Sequence, residues 1–163
     1  MRHARYGAPS AIWTYRDAAG GLLYAVCRFD PPGAKKEIIP LVCGADGWRW
    51  KSAPAPRPLY GLDRLAARPD APVLVVEGEK TADAALALFP AFVPITWPGG
   101  GQAVWKAHWA PLRGRVVVIW PDADEPGHTA AAAAAEAATA AGAARVDVVP
   151  VPARLARRLG RCR

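Results

Sequence analysis

Cysteine, methionine and long apolar runs are all scarce in this 163-residue sequence. Cys27, Cys43 and Cys162 stand far apart and form no CxxC pair, so they build neither a disulfide framework nor a zinc ribbon. They read as buried or half-buried thiols of a reducing compartment. No apolar run approaches the roughly 20 residues that a membrane span needs. The first ten residues carry Arg2, His3 and Arg5 with no apolar segment behind them, so no secretory signal is read there and the expected location is the cytoplasm. Acidic residues are missing altogether from positions 151–163, which hold five arginines.

What is present is an uneven charge. The net +7 divides into +6 over residues 1–68, −4 over 69–150 and +5 over 151–163. An acidic centre between basic flanks suits an enzyme that gathers cations while holding a polyanion, and it points to nucleic acid over ordinary surface charge.

Residues 1–68 read as a small β-rich subdomain. The segments 12–16, 22–30 and 37–43 are β-branched or aromatic and are separated by Ala-Ala-Gly-Gly, Pro-Pro-Gly and Gly-Ala-Asp-Gly turns. A fourth strand, Trp48-Arg49-Trp50-Lys51, alternates aromatic with basic residues. Its indoles are expected on one face and its cations on the other. Trp13, Tyr15, Trp48 and Trp50 read foremost as core aromatics; the other reading is a platform that stacks bases, with Arg49 and Lys51 on phosphates. Residues 52–58 hold three prolines and read as a linker.

From Pro72 the pattern becomes strand and helix in alternation. Residues 73–76 are continuously apolar, as in a strand buried on both faces of a parallel sheet. A helix over 79–89 follows, with Ala82, Ala85, Leu86 and Phe89 on one face, and Pro90 stops it. Then come a strand over 92–96, a glycine loop at 99–101, a short helix over 102–109, a strand over 115–120, an alanine-rich helix to about 141 and a strand over 145–149. Residues 69–150 are therefore expected to form an α/β domain on a mostly parallel four-stranded sheet. Residues 151–163 read as a basic tail.

In such sheets the reacting groups sit where the chain leaves the carboxyl ends of the strands. That rule selects Glu77-Gly78-Glu79-Lys80 and Asp122-Ala123-Asp124. Carboxylates of an Asp-x-Asp can converge on one cation, and Mg²⁺ prefers a few carboxylate oxygens completed by water and phosphate. Packed carboxylates raise one another's pKa, so such a cluster asks for a cation. Lys80 is placed either to meet a substrate phosphate or to sit in solvent. Gly99 and Gly100 either bring amides to a phosphate or make a plain turn. Glu125 reads as a helix N-terminal charge, and His108 and His128 as surface or packing residues.

Val73 to Gly78, then Trp97-Pro98-Gly99-Gly100, then Val116 through Asp122-Ala123-Asp124 to Gly127 together resemble the TOPRIM domain of primases, topoisomerases and some nucleases. The resemblance spans residues 72–149. It implies a Rossmann-like sheet, Glu77 as general acid or base or as a metal ligand, and Asp122 and Asp124 as the holders of Mg²⁺, with Mn²⁺ as a substitute. The stretches around Trp13, Arg28, Trp48 and Arg57-Pro58-Leu59-Tyr60-Gly61-Leu62 are similar to the region ahead of TOPRIM in phage and plasmid primase-helicases. That likeness implies primase-type nucleotidyl transfer on a single-stranded DNA template from nucleoside triphosphates, beside a replicative helicase or another primase subunit. A TOPRIM nuclease cutting DNA or RNA, and a non-catalytic nucleic-acid-binding accessory subunit, are the alternatives.

Overall fold

The computed structural model describes residues 2–151, so the basic tail lies almost wholly outside the described residues. Two four-stranded sheets make up the architecture. The first is an antiparallel meander of β1 (Ala11–Arg16), β2 (Leu22–Phe29), β3 (Glu37–Gly44) and β4 (Gly47–Trp50). The second is parallel, with β5 (Val73–Val76), β6 (Val93–Ile95), β7 (Val116–Trp120) and β8 (Arg145–Val148) in the order β6-β5-β7-β8. Both sheets are as the sequence predicts.

Helix α2 (Glu79–Leu88) lies between the sheets. Its Ala82 and Ala85 share one apolar cluster with Leu74 and Val76 of β5 and with Trp13, Tyr15, Tyr24 and Val26 of the antiparallel sheet. Small side chains on the helix let large ones close in from both sides. Helix α3 (Glu125–Ala140) covers the opposite face, where Ala130, Ala131, Ala134, Ala137 and Ala138 pack with Val117 and Ile119. Val73 to Val76 are thus buried on both faces, which explains the strand's lack of alternation. Burying each valine contributes about 1.5 to 3 kcal/mol.

Strand β2 is also buried on both faces. Tyr24 and Val26 turn towards α2, whereas Ala25, Cys27 and Phe29 turn outward into a small cluster with Leu41, Tyr6 and Trp50. Trp13 and Tyr15 are core residues, at 9% and 0% exposure. Trp48 is exposed.

Two elements differ from expectation. A helix α1 (Leu62–Ala67) stands where none is predicted. Residues 102–109 do not form one short helix; a 3₁₀ turn, Gly101–Lys106, ends at Lys106, Ala107 is extended, and a second 3₁₀ turn, Ala110–Leu112, follows. The second turn contains Pro111, and the Trp109 indole N–H donates to the Val104 carbonyl at 2.9 Å. The His108 amide, which a continuing α-helix would direct to Val104, donates instead to the Arg57 carbonyl at 2.7 Å.

The chain ahead of α1 is joined to the parallel sheet. Arg57 bridges to Ala107, Tyr60 bridges to Thr96, and Leu59 is fully buried in the core beneath α3.

Candidate active site

Val76 pairs with Trp120, so the carboxyl ends of β5 and β7 lie side by side. The sheet order reverses between these two strands, with β6 on the other flank of β5. Such a switch point opens a crevice at the strand ends. Glu77 leaves β5 there and Asp122 leaves β7.

Two glycines make the crevice possible. Gly78, at φ +85°, turns the chain from β5 into α2 in a conformation that favours glycine, and its amide donates to Thr96 Oγ1 at 3.0 Å. Gly127 sits in the first turn of α3, where a Cβ would come within 2.6 Å of the Asp122 carbonyl oxygen and 2.8 Å of its Cβ. The helix start can back onto the Asp122 loop only because position 127 has no side chain.

Glu77 and Asp122 both line a cleft of about 740 Å³ between the two sheets. Partial burial, then the Asp122 and Asp124 charges, raise the Glu77 pKa, while the Gly101 backbone and Lys36 oppose the rise. Partial loss of solvent and the Asp124 charge raise that of Asp122, again against Lys36. The three carboxylates therefore feel one another. Asp124 is committed differently from the other two. It caps α3, its Oδ1 accepting from the Gly127 amide at 2.8 Å, a role that satisfies one of the helix's orphan donors. It lies in a shallow depression with Glu125, His128 and Thr129 beside the main cleft.

Among the described residues no three His, Cys, Asp or Glu side chains form a group that could hold a metal ion by themselves. The donor set nonetheless fits Mg²⁺, which is commonly bound by one or two carboxylates together with water and substrate phosphate, without an all-protein cage. Glu77 and Asp122 are two such carboxylates opening on one space.

The same cleft is rich in cations. Arg28, Lys36, Arg57, Lys80 and Lys106 all line it. Arg28 is held by Asp30 in a 2.7 Å ion pair, and hydrogen bonds from Arg28 and Ser10 lower the Asp30 pKa to about 2. Arg57 is fixed by its backbone, whose N–H donates to the Lys106 carbonyl and whose carbonyl accepts from the His108 amide, each at 2.7 Å. Its Nε donates to the Ala53 carbonyl at 3.0 Å.

Of the residues selected from sequence, Glu77, Asp122, Lys80, Gly99 and Gly100 line this cleft together. Arg49 and Lys51 do not. Arg49 stands exposed on β4, paired with Asp46 at 3.2 Å, and Lys51 is exposed just beyond that strand. Arg28, Lys36, Arg57, Gln102 and Lys106 escape the sequence reading as cleft residues. Arg28 and Lys36 reach the cleft only because the antiparallel sheet packs over the parallel one, Arg57 comes from the segment ahead of α1, and Gln102 and Lys106 come from the 3₁₀ turn that follows β6.

One further contact ties the walls. The Tyr15 hydroxyl donates to Glu79 Oε1 at 2.8 Å, joining β1 to the first turn of α2. Tyr60 donates to Asp83 Oδ1 at 2.9 Å one turn further on.

A family model for a domain of unknown function (DUF6371) matches residues 45–123, somewhat under half of the chain. No curated protein sequence matches it. Solved structures do. The primase fragment of the bacteriophage T7 primase-helicase protein superimposes with a TM-score of 0.58 at 19% identity, covering 91% of this chain and 57% of that one. A DNA primase domain from Pseudomonas aeruginosa gives 0.62 at 19% identity, over 97% and 51%. The DnaG primase catalytic domain bound to ssDNA gives 0.52 at 20% identity, over 90% and 48%. The chain spans about half the length of these structures. The resemblance read from the sequence is borne out at the level of fold: residues of both sheets together adopt the fold of primase catalytic fragments.

Proposed function

We propose that the chain is a primase-type module that carries out nucleotidyl transfer on a single-stranded DNA template with Mg²⁺ as its cofactor. The observation that carries this reading is the cleft itself, which the carboxylates of Glu77 and Asp122 line together with Lys36, Arg57, Lys80 and Lys106. A nucleoside triphosphate is a polyanion that binds through cations on one side and through a metal held by carboxylates on the other.

In nucleotidyl transfer a 3′-hydroxyl forms a bond to the α-phosphorus, the bond to the β-phosphate breaks and pyrophosphate leaves. Glu77 and Asp122, with the second oxygen of Asp124, are the residues that would hold Mg²⁺, which supplies neutralisation of phosphate charge when bound. Lys36 and Arg57 meet the triphosphate from the antiparallel sheet side. Lys80 meets it from the first turn of α2, and Gly99 and Gly100 leave backbone amides free to approach it. Where Glu77 stands off the metal, its carboxylate, raised in pKa by burial and by its acidic neighbours, takes the proton of the attacking hydroxyl.

The test is incubation of the protein with single-stranded DNA, labelled nucleoside triphosphates and Mg²⁺ or Mn²⁺. New oligonucleotides are expected, and Asp122→Asn is expected to abolish them while melting temperature and circular dichroism hold. Shortened DNA in place of new product would move the reading to a nuclease, and binding without turnover to an accessory subunit. An unchanged rate in Asp122→Asn would sink the site assignment.

A further inference from the structure

Seven tryptophans are present in the chain, and Trp105 is the most exposed of those that stand large and apolar in solvent, at 64%. Its neighbours in sequence are accounted for. Trp97 and Trp109 are buried, pack on each other at 6.0 Å between ring centroids, and donate their indole N–H groups to the Gly100 and Val104 carbonyls at 2.9 Å. Trp120, also half exposed, packs on Phe89 at 5.5 Å. Trp105 makes no aromatic contact and no side-chain hydrogen bond among the described residues.

Its place follows from the 3₁₀ turn that carries it. Ala103 and Val104 of Gly101–Lys106 are buried, Val104 in the core with the alanines of α3 and Ala103 in the wall of the cleft. In a 3₁₀ turn residues i and i+3 eclipse, about 6 Å apart along the axis. Trp105 therefore stands in line with Gln102, which lines the cleft, and is followed directly by Lys106, which lines it too. The exposed indole is not itself a lining residue but neighbours two that are, Gln102 one turn back and Lys106 next in sequence.

We propose that Trp105 is a stacking platform for an unpaired nucleobase of single-stranded nucleic acid, with Lys106 holding the adjoining phosphate. The inference rests on the nucleic-acid reading of the cleft and extends that site beyond the reacting centre. A flat aromatic face with a cation beside it is the pairing that holds single strands without reading their sequence, since every base has a π-face and every linkage a phosphate. Turned into water, the same indole leaves much of its large apolar surface unused.

The test is the affinity of the full chain for a short oligothymidylate and for an abasic oligonucleotide of equal length, measured by fluorescence anisotropy at one salt concentration. Trp105→Ala is expected to weaken oligothymidylate binding roughly 5- to 150-fold, the range of one stacked base. Trp105→Phe is expected to restore most of it. The abasic strand is expected to bind wild type and Trp105→Ala alike, because only phosphate contacts remain. Because the side chain is exposed, melting temperature should hold in both variants. Equal affinity of wild type and Trp105→Ala for oligothymidylate overturns the platform and leaves the cleft reading intact. Failure of the wild type to bind either strand overturns both.

Discussion

Two tyrosines stacked at 4.3 Å make opposite demands on their hydroxyls. The Tyr15 hydroxyl bonds Glu79, a half-buried carboxylate. The Tyr24 hydroxyl is buried with no hydrogen-bond partner. Removing a hydroxyl that satisfies a charged group costs about 1.5 to 3 kcal/mol, whereas removing one that satisfies nothing returns its desolvation penalty. Tyr15→Phe is therefore expected to lower the melting temperature and Tyr24→Phe to hold or raise it, as followed by thermal unfolding at neutral pH. The same pair sets an alkaline limit. Burial first, and the Glu79 charge second, push both hydroxyls well above their ordinary value, and burial together with Asp83 raises Tyr60. The folded chain keeps protons that the unfolded chain begins to release near pH 10. The stability these groups contribute is present in full below about pH 10 and is lost as the pH climbs above it. Tyr24→Phe removes one of the three and should make that loss shallower.

Helix α3 starts at a residue with two offices. Asp124 caps the helix through the Gly127 amide, and its charge bears on both Glu77 and Asp122. Asparagine keeps the capping oxygen and drops the charge; alanine drops both. Asp124→Ala is expected to cost about 1 kcal/mol of stability, and Asp124→Asn much less. Both are expected to lose the rise in melting temperature that Mg²⁺ gives a protein that binds it. If Asp124→Asn keeps the full Mg²⁺ response, the residue is a cap alone. The element that sequence misses, α1, shows why such roles hide. It begins at Gly61 in a left-handed conformation with no side-chain cap. At its other end Arg115 donates to the carbonyls of Leu65, Arg68 and Ala71. A helix end closed by a side chain from the start of β7 leaves no local signal. The strands and α2 and α3 were legible because burial on one or both faces dictates their period residue by residue. Glu77 and Asp122 were legible because each follows a fully apolar strand. The second wall of the cleft was not.

That wall exists only at the scale of the whole molecule, where the antiparallel sheet is laid over α2 and held there by Tyr15 on Glu79, while Tyr60 on Asp83 holds the segment ahead of α1 to the same helix. Charge counted along the chain gives a basic stretch over 1–68 and an acidic one over 69–150, but it does not say that Lys36 and Arg57 of the first share a cleft with Glu77 and Asp122 of the second. Their meeting has a measurable consequence. Lys36, Arg57, Lys80 and Lys106 line the cleft with no carboxylate paired to them among the described residues, whereas Arg28 is already taken by Asp30. If four cations neutralise phosphates of a single strand, displaced counterions give a slope of about −3 in a plot of log affinity against log salt, at about 0.7 per contact. Lys36→Gln should flatten the slope by about 0.7 and weaken binding equally across sequences, since a phosphate contact carries no base information. Trp105→Ala should weaken binding and leave the slope as it was, because stacking releases no counterion. Salt titrations of the three proteins against one oligonucleotide separate these effects. A slope near zero in the wild type would mean that the cationic lining does not hold a polyanion, whatever the carboxylates beside it do.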